Sequence, residues 1–226
     1  MDKDYIITDS VSLGEGVKGT VTYCHTPGMS NNTLFESHNT VIPTYVRDAN
    51  GDVYKVAIGE SAFDYDKNTC LYGTLKIVGF ESIGKNAFYE ARITSVDISS
   101  ESELTIYDRA FDECKTANDP GDHKLSINAV GDININGVIT DTGARGAFRD
   151  SNFIKNAEII STEGNISIGE KAFDSSINIE SISITANDGS VTIGNEAFNG
   201  NSVLAKLETF SITSKSNVHI GKSIFG

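Results

Sequence analysis

Ile193-Gly194-Asn195-Glu196-Ala197-Phe198 decides the fold, because the same six-residue phrase returns along most of the chain. Its relatives are Ile58-Gly59-Glu60-Ser61-Ala62-Phe63, Ile83-Gly84-Lys85-Asn86-Ala87-Phe88, Ile106-Tyr107-Asp108-Arg109-Ala110-Phe111, Ile168-Gly169-Glu170-Lys171-Ala172-Phe173 and Ile220-Gly221-Lys222-Ser223-Ile224-Phe225. A seventh keeps only Gly146-Ala147-Phe148. From Phe63 the phenylalanines advance by 25, 23, 37, 25, 25 and 27 residues, and a period of about 20–50 residues marks a solenoid. In the long step, 13 residues separate Ile135 from Phe148 against 5 from Ile168 to Phe173, a difference of 8. An insertion of that kind leaves a solenoid as a loop on one side and does not disturb the stack.

The unit between Ile179 and Asn201 shows how a coil is built. Ile182 and Ile184 alternate with Ser181, Ser183 and Thr185, the period of two expected of a half-buried strand. Ala186-Asn187-Asp188-Gly189 has turn composition, and Val191 and Ile193 alternate with Ser190 and Thr192 as a second short strand. Gly194 ends that strand, and residues 195–198 fold one aromatic ring inward. No such unit can enclose its own apolar face, so stability comes from stacking Ile on Ile and Phe on Phe in successive coils. The residue before each Phe is Ala in six of seven copies, as a turn crowded against the next coil requires.

The Ile-Gly-x-x-Ala-Phe phrase, followed by a small polar residue or cysteine, resembles the BspA-type leucine-rich repeats of bacterial surface proteins. Cys114, Ser151, Ser176 and Asn201 occupy the small-residue position, while Asp66 and Ala91 depart from it. The resemblance covers about residues 42–226, with Ile and Val in most of the family's leucine places. It implies an all-β, curved, right-handed leucine-rich-repeat-like solenoid with short parallel strands, two per coil, used for attachment and protein contact, with no catalytic motif to inherit. Residues 42–226 then form one continuous domain of about seven coils, and residues 1–41 an N-terminal β cap. Within that cap Val17 to Cys24 reads as a strand. Thr40-Val41-Ile42-Pro43, Tyr45-Val46, a turn at 48–52 and Val53 to Ile58 read as a hairpin leading into the first coil. The chain stops one residue after Phe225, so the last coil is expected to be open, a strand edge suited to self-association or continued by further chain.

Net charge is 18 − 31 = −13, which argues against a nucleic-acid duplex or an anionic membrane as partner, since phosphate contacts are made by Lys and Arg. No apolar run approaches membrane-spanning length. Met1-Asp2-Lys3-Asp4 followed by Tyr5-Ile6-Ile7 does not form a leader pattern. That leaves an intracellular protein or a piece of a longer exported one. The resemblance implies the second, at the cell surface or secreted. Three cysteines, Cys24, Cys70 and Cys114, match no zinc or redox spacing, and an odd number argues against a disulfide framework. Cys24 and Cys70 pair only if the cap folds back on the first coil, and Cys114 reads as a small buried hydrophobe.

Catalytic signals are absent. His25, His38, His123 and His219 share no recurrent spacing with an acid or nucleophile, and no Gly-x-Ser-x-Gly elbow or phosphate loop is present. Asp119-Pro120-Gly121-Asp122-His123 reads as a solvated loop, because calcium needs about six or more oxygen ligands. No metal or other cofactor is expected. Alternation places Ser95, Asp97 and Ser99, then Ser181, Ser183 and Thr185, then Thr209, Ser211 and Thr213 on one outward face. That face is rich in hydroxyls and lacks the flat rings of a sugar platform. The candidate ligand contacts are Asp97, Thr185 and Thr213 on it, with Asp141 and Arg145 on the inserted loop. These features point to a non-enzymatic adhesion or protein-interaction module whose ligand is a protein, of the kind a host presents outside its cells. A structural spacer in a larger surface protein and a carbohydrate-active enzyme are the alternatives.

Overall fold

A computed structural model describes residues 17–23, 39–42, 44–47, 50–64, 72–115, 122–140, 143–200 and 206–226. Two sheets carry the coils. The narrow one runs in the order β1 (Val17–Tyr23), β4 (Val53–Ile58), β6 (Ser82–Ile83), β8 (Leu104–Ile106), β10 (Ile133–Ile135), β14 (Ile166–Ile168), β16 (Val191–Ile193) and β18 (Val218–Ile220). A short strand, β3 (Tyr45–Arg47), lies antiparallel to β4 and makes the expected entry hairpin. The broad sheet runs β2 (Asn39–Ile42), β5 (Tyr72–Val78), β7 (Arg92–Ser100), β9 (Lys124–Ala129), β13 (Asn156–Ser161), β15 (Ser181–Ala186) and β17 (Thr209–Ser214). Each strand pairs with its equivalent one coil away, which forces parallel pairing through both stacks. β5–β6, β7–β8, β9–β10, β13–β14, β15–β16 and β17–β18 are successive two-strand coils. The architecture is thus the parallel β-solenoid that the repeat implies.

Three ladders run through the core from coil to coil. Ile58, Ile83, Ile106, Ile135, Ile168, Ile193 and Ile220 are in register along the narrow sheet. Ile77, Ile98, Ile127, Ile159, Ile184 and Ile212 are in register along the broad one. Between the two edges Phe63, Phe88, Phe111, Phe148, Phe173 and Phe198 stack with ring centroids 4.8–5.1 Å apart. That repeat is the spacing of neighbouring strands, about 4.8 Å, so the rings adopt the period of the backbone. The backbone ladder continues through the turn: Phe111 N–H donates to Ala147 O at 2.7 Å and Phe173 N–H to Ala197 O at 2.8 Å. The alanines are fully buried there, which leaves no room for a larger residue.

The small residue three places after each ring also has a specific task. Cys114 Sγ–H donates to Phe88 O at 3.1 Å, Ser151 Oγ–H to Phe111 O, and Ser176 Oγ–H to Phe148 O at 2.7 Å. Each adds a bond to a carbonyl one coil back, and two of those carbonyls also accept from the N–H three residues on, Phe88 O from Ala91 at 3.1 Å and Phe148 O from Ser151 at 3.3 Å. Burial pushes the Cys114 thiol well above its ordinary range, so it is an inert structural donor. Ser176 also accepts from Ser151 N–H at 3.0 Å. Ser176→Ala removes both bonds and leaves Ser151 N–H and Phe148 O only their mutual 3.3 Å contact, which will lower the unfolding free energy by about 0.5–1.5 kcal/mol. Ser176→Cys, which keeps a donor, will recover part of that in urea denaturation. Asp66 and Asn201, like Cys24 and Cys70, lie outside the described residues.

Beside the rings sits a buried ionic column. Asp112, fully buried, meets Arg109 Nε at 2.6 Å, Arg149 Nη2 at 3.1 Å and Arg149 Nε at 2.9 Å, the last too poorly aligned for a good hydrogen bond. Arg149 also reaches Glu113 at 2.6 Å, and the Arg109 guanidinium lies 4.6 Å over the Tyr89 ring. Burial raises the Asp112 carboxyl above its ordinary range, and the two arginines oppose that shift.

Turns between the two strands of a coil approach even more closely. A Cβ on Gly189 would lie 2.0 Å from Gly164 O, and one on Gly164 2.3 Å from Asp132 N. Only glycine allows backbone against backbone at that distance. Gly189→Ala will destabilise by about 2–3 kcal/mol, the upper part of the overpacking range, because the obstacle is main chain that cannot rotate away; a thermal melt measures it.

The insertion after β10 is a short antiparallel hairpin, β11 (Ile139–Thr140) and β12 (Gly143–Ala144). In ordinary coils the Ala N–H donates to the residue after the ladder Ile, as Ala172 does to Gly169 O at 3.3 Å. Here Ala147 N–H donates to Asn136 O at 2.9 Å across the hairpin. The extra residues are spliced in at one hydrogen bond. At the far edge, Val218 and Ile220 are in register with Val191 and Ile193, yet each is 46% exposed. Nothing in the described residues stacks on β18, so its inward-facing side chains are uncovered.

Candidate functional site

Outward residues of the broad sheet fall into three rows fixed by strand register. One carries Lys76, Asp97, Ser126, Glu158, Ser183 and Ser211. The next carries Ser99, Asn128, Ile160, Thr185 and Thr213. The third contains Asn156, Ser181 and Thr209, with Lys124 opposite Asn156 on β9. Thr185 and Thr213 are therefore direct neighbours, whereas Asp97 belongs to the adjoining row and lies three strands away, about 14 Å at the usual strand spacing. All three share the face without forming a single point of contact. Arg145 lies elsewhere: its N–H donates to Val138 O at 2.9 Å at the base of the hairpin, which leaves the chain after a strand of the narrow sheet. Asp141 lies outside the described residues.

The face is uneven in character. Over β15 and β17 it is a lattice of hydroxyls, Ser181, Ser183 and Thr185 beside Thr209, Ser211 and Thr213. Over β5, β7 and β9 it is charged. Lys124 Nζ meets Glu158 Oε2 at 2.6 Å, and Lys76 Nζ lies 4.0 Å from Asp97 Oδ2 with both side chains about half exposed. Such an exposed, long pair contributes little stability.

In that charged part lies a shallow groove of about 430 Å³, lined by Thr74, Ser95, Val96, Asp97, Asp122, Lys124 and Ser126. Lys124 N–H donates to Ser95 Oγ at 3.3 Å, fixing the start of β9 against β7. Sequence alternation identifies Asp97 and Ser95 but not Thr74, Asp122, Lys124 or Ser126. Matching Ile127 to Ile98 would have put Ser126 beside Asp97, but no pattern in the chain shows that Asp122 borders the same groove. Residues 116–121 of the adjoining loop are outside the described residues, including Asp119. Among the described residues no group of three His, Cys, Asp or Glu side chains could hold a metal ion, and no helix is long and apolar enough to cross a membrane.

A second exposed feature is apolar. Val138 and Ile139 on the hairpin are 39% and 47% exposed, and Tyr107, one coil earlier at the place usually taken by glycine, is 46% exposed.

A model of the BspA type leucine rich repeat region matches residues 55–119 and 130–226 in 6 copies. No curated protein and no solved structure matches the chain. With the Ile and Phe ladders in register and more than half of its length matched, the chain belongs to the BspA-type leucine-rich repeat family.

Proposed function

We propose that this solenoid is a non-enzymatic adhesion or protein-interaction module of a bacterial surface or secreted protein, and that the outer face of its broad sheet makes the contact. The observation that carries the reading is the division of labour between the two sides of each broad-sheet strand. Inward residues repeat the same apolar types coil after coil, while outward residues in the same register change from Lys76 to Asp97, Ser126, Glu158, Ser183 and Ser211. A face with varied chemistry on a rigid frame suits recognition of another protein. Membership of a repeat family associated with bacterial surface proteins and with protein contact supports the same conclusion. Arg145 on the hairpin, with Asp141 in the same insertion, is a second contact region apart from the broad-sheet face, since insertions in a solenoid often serve binding.

The test is capture of purified extracellular proteins, arrayed singly, by the immobilised chain. A chain with Asp97→Lys, Thr185→Arg and Thr213→Arg should keep its melting temperature and lose at least tenfold in affinity for whatever the unaltered chain captures. Undiminished capture, or none by either chain, would favour the role of a spacer that holds another domain away from a surface. Release of sugar from a glycan by the purified chain would instead make it an enzyme.

A further inference from the structure

We infer that the groove over β5, β7 and β9 is a socket for a cationic side chain, an arginine in the first instance, presented by the partner protein. This rests on the interaction reading above and names the chemistry that one part of the face selects. Two carboxylates line the groove, Asp97 and Asp122, together with three hydroxyls, Thr74, Ser95 and Ser126. The single cation in its described lining is Lys124, and its ammonium is turned aside to Glu158 at 2.6 Å. Lys76 belongs to the neighbouring strand and touches Asp97 only at 4.0 Å. Asp122 is exposed and has no ion pair among the described residues. What remains facing the groove is the negative charge of the two carboxylates and three hydroxyls, of which Ser95 already accepts from Lys124 N–H at 3.3 Å and Ser126 from Asn128 Nδ2–H at 3.1 Å.

A guanidinium fits that set better than the other common ligands. It carries its charge with five N–H donors in a planar fork that pairs two-pronged with carboxylates, and it remains charged at any working pH. A sugar would want a flat ring beneath it, and the lining has none. An anion would meet both carboxylates. Calcium would need about six or more oxygens converging on one point, whereas this lining is spread over a groove of about 430 Å³. Val96 supplies an apolar patch on which the methylenes of the incoming side chain can lie. The long-range field of a chain with net charge −13 draws cations to it.

The experiment is a titration of the ¹⁵N-labelled chain with a blocked pentapeptide holding one central arginine among glycine and serine, and with its citrulline counterpart, which has the same shape without the charge. The expected result is saturable shifts concentrated at Thr74, Ser95, Asp97, Lys124 and Ser126, at least tenfold weaker with citrulline, and lost in the Asp97→Asn, Asp122→Asn double variant. No binding of the arginine peptide would overturn the inference. So would shifts scattered over the acidic surface, equal binding of the citrulline peptide, or retention of the shifts in the double variant. If the socket fails in any of these ways while Thr185→Arg and Thr213→Arg still abolish protein capture, the interaction reading stands without it. If capture survives those threonine changes but the arginine peptide binds as described, the groove is a binding site and the hydroxyl lattice is not.

Discussion

Replacing Phe173 with alanine will lower the unfolding free energy by about 3–5 kcal/mol. The ring is fully buried between Phe148 at 4.9 Å and Phe198 at 5.0 Å. Its removal opens a void whose walls are fixed by hydrogen-bonded turns on both sides and cannot close in. The loss compares with a total of about 5–15 kcal/mol for an ordinary domain. In a stack held by nearest-neighbour contacts, the damage also has a location. Hydrogen exchange will show protection lost first in the turns around residue 173, and urea unfolding will broaden as the coils on either side lose their coupling. Phe225→Ala is the control, since that ring is only partly buried and tilted at 6.0 Å from Phe198; its loss will be smaller. Equal losses at the two positions would mean that the rings are not one continuous support.

Asp112→Ala will cost about 3–5 kcal/mol, the usual range for leaving a buried ionic partner without its counter-charge. The carboxylate joins guanidinium groups from two different coils, Arg109 on its own turn and Arg149 on the next. Without it the two guanidinium groups, on side chains 31% and 25% exposed, face each other with no shared counter-charge. Arg149 keeps Glu113 at 2.6 Å and Arg109 keeps the Tyr89 ring, which places the expected value near 3 kcal/mol. Removing Arg109 as well will cost less than the two single changes added together, because the second cut deletes a charge already stranded. A chemical denaturation cycle over the two single variants and the double variant reads this coupling directly, and simple additivity would show that the contact carries no energy.

The Phe and Ile ladders were legible because they depend on periods, 2 along a strand and about 25 along the chain. The outward rows followed from the same alternation. Less was legible where a position is set by backbone conformation that the residue type does not announce. Ser61, Asn86, Arg109, Lys171, Glu196 and Ser223, each two places before its ring, all have φ between 50° and 57°. Glycine is the usual residue there, and none of the six is glycine, so the turn geometry leaves no mark in composition. The ladder hydrogen bonds impose it. The groove was only half visible for a related reason: Asp97 is marked by strand alternation, but Asp122 reaches the same place from an irregular segment. The task of Cys114, Ser151 and Ser176 was also hidden, since small size is apparent in sequence and a bond to the ring's own carbonyl one coil back is not.

The hairpin after Ile135 leaves and rejoins the chain at the two ends of one 2.9 Å contact, between Asn136 and Ala147. Gly137 and Gly146 at its two ends pack against the next coil, where an added Cβ would lie 2.3 Å from Glu170 O and 2.0 Å from Lys171 O, so the demand on coil phase sits at those two glycines and the segment between them can vary. Closing a longer flexible segment at the same points adds only about 0.6 kcal/mol for each doubling of its length. This turn is thus a docking port for exchangeable cassettes: its tip can diversify, lengthen or be replaced by a foreign epitope while the frame beneath it folds as before.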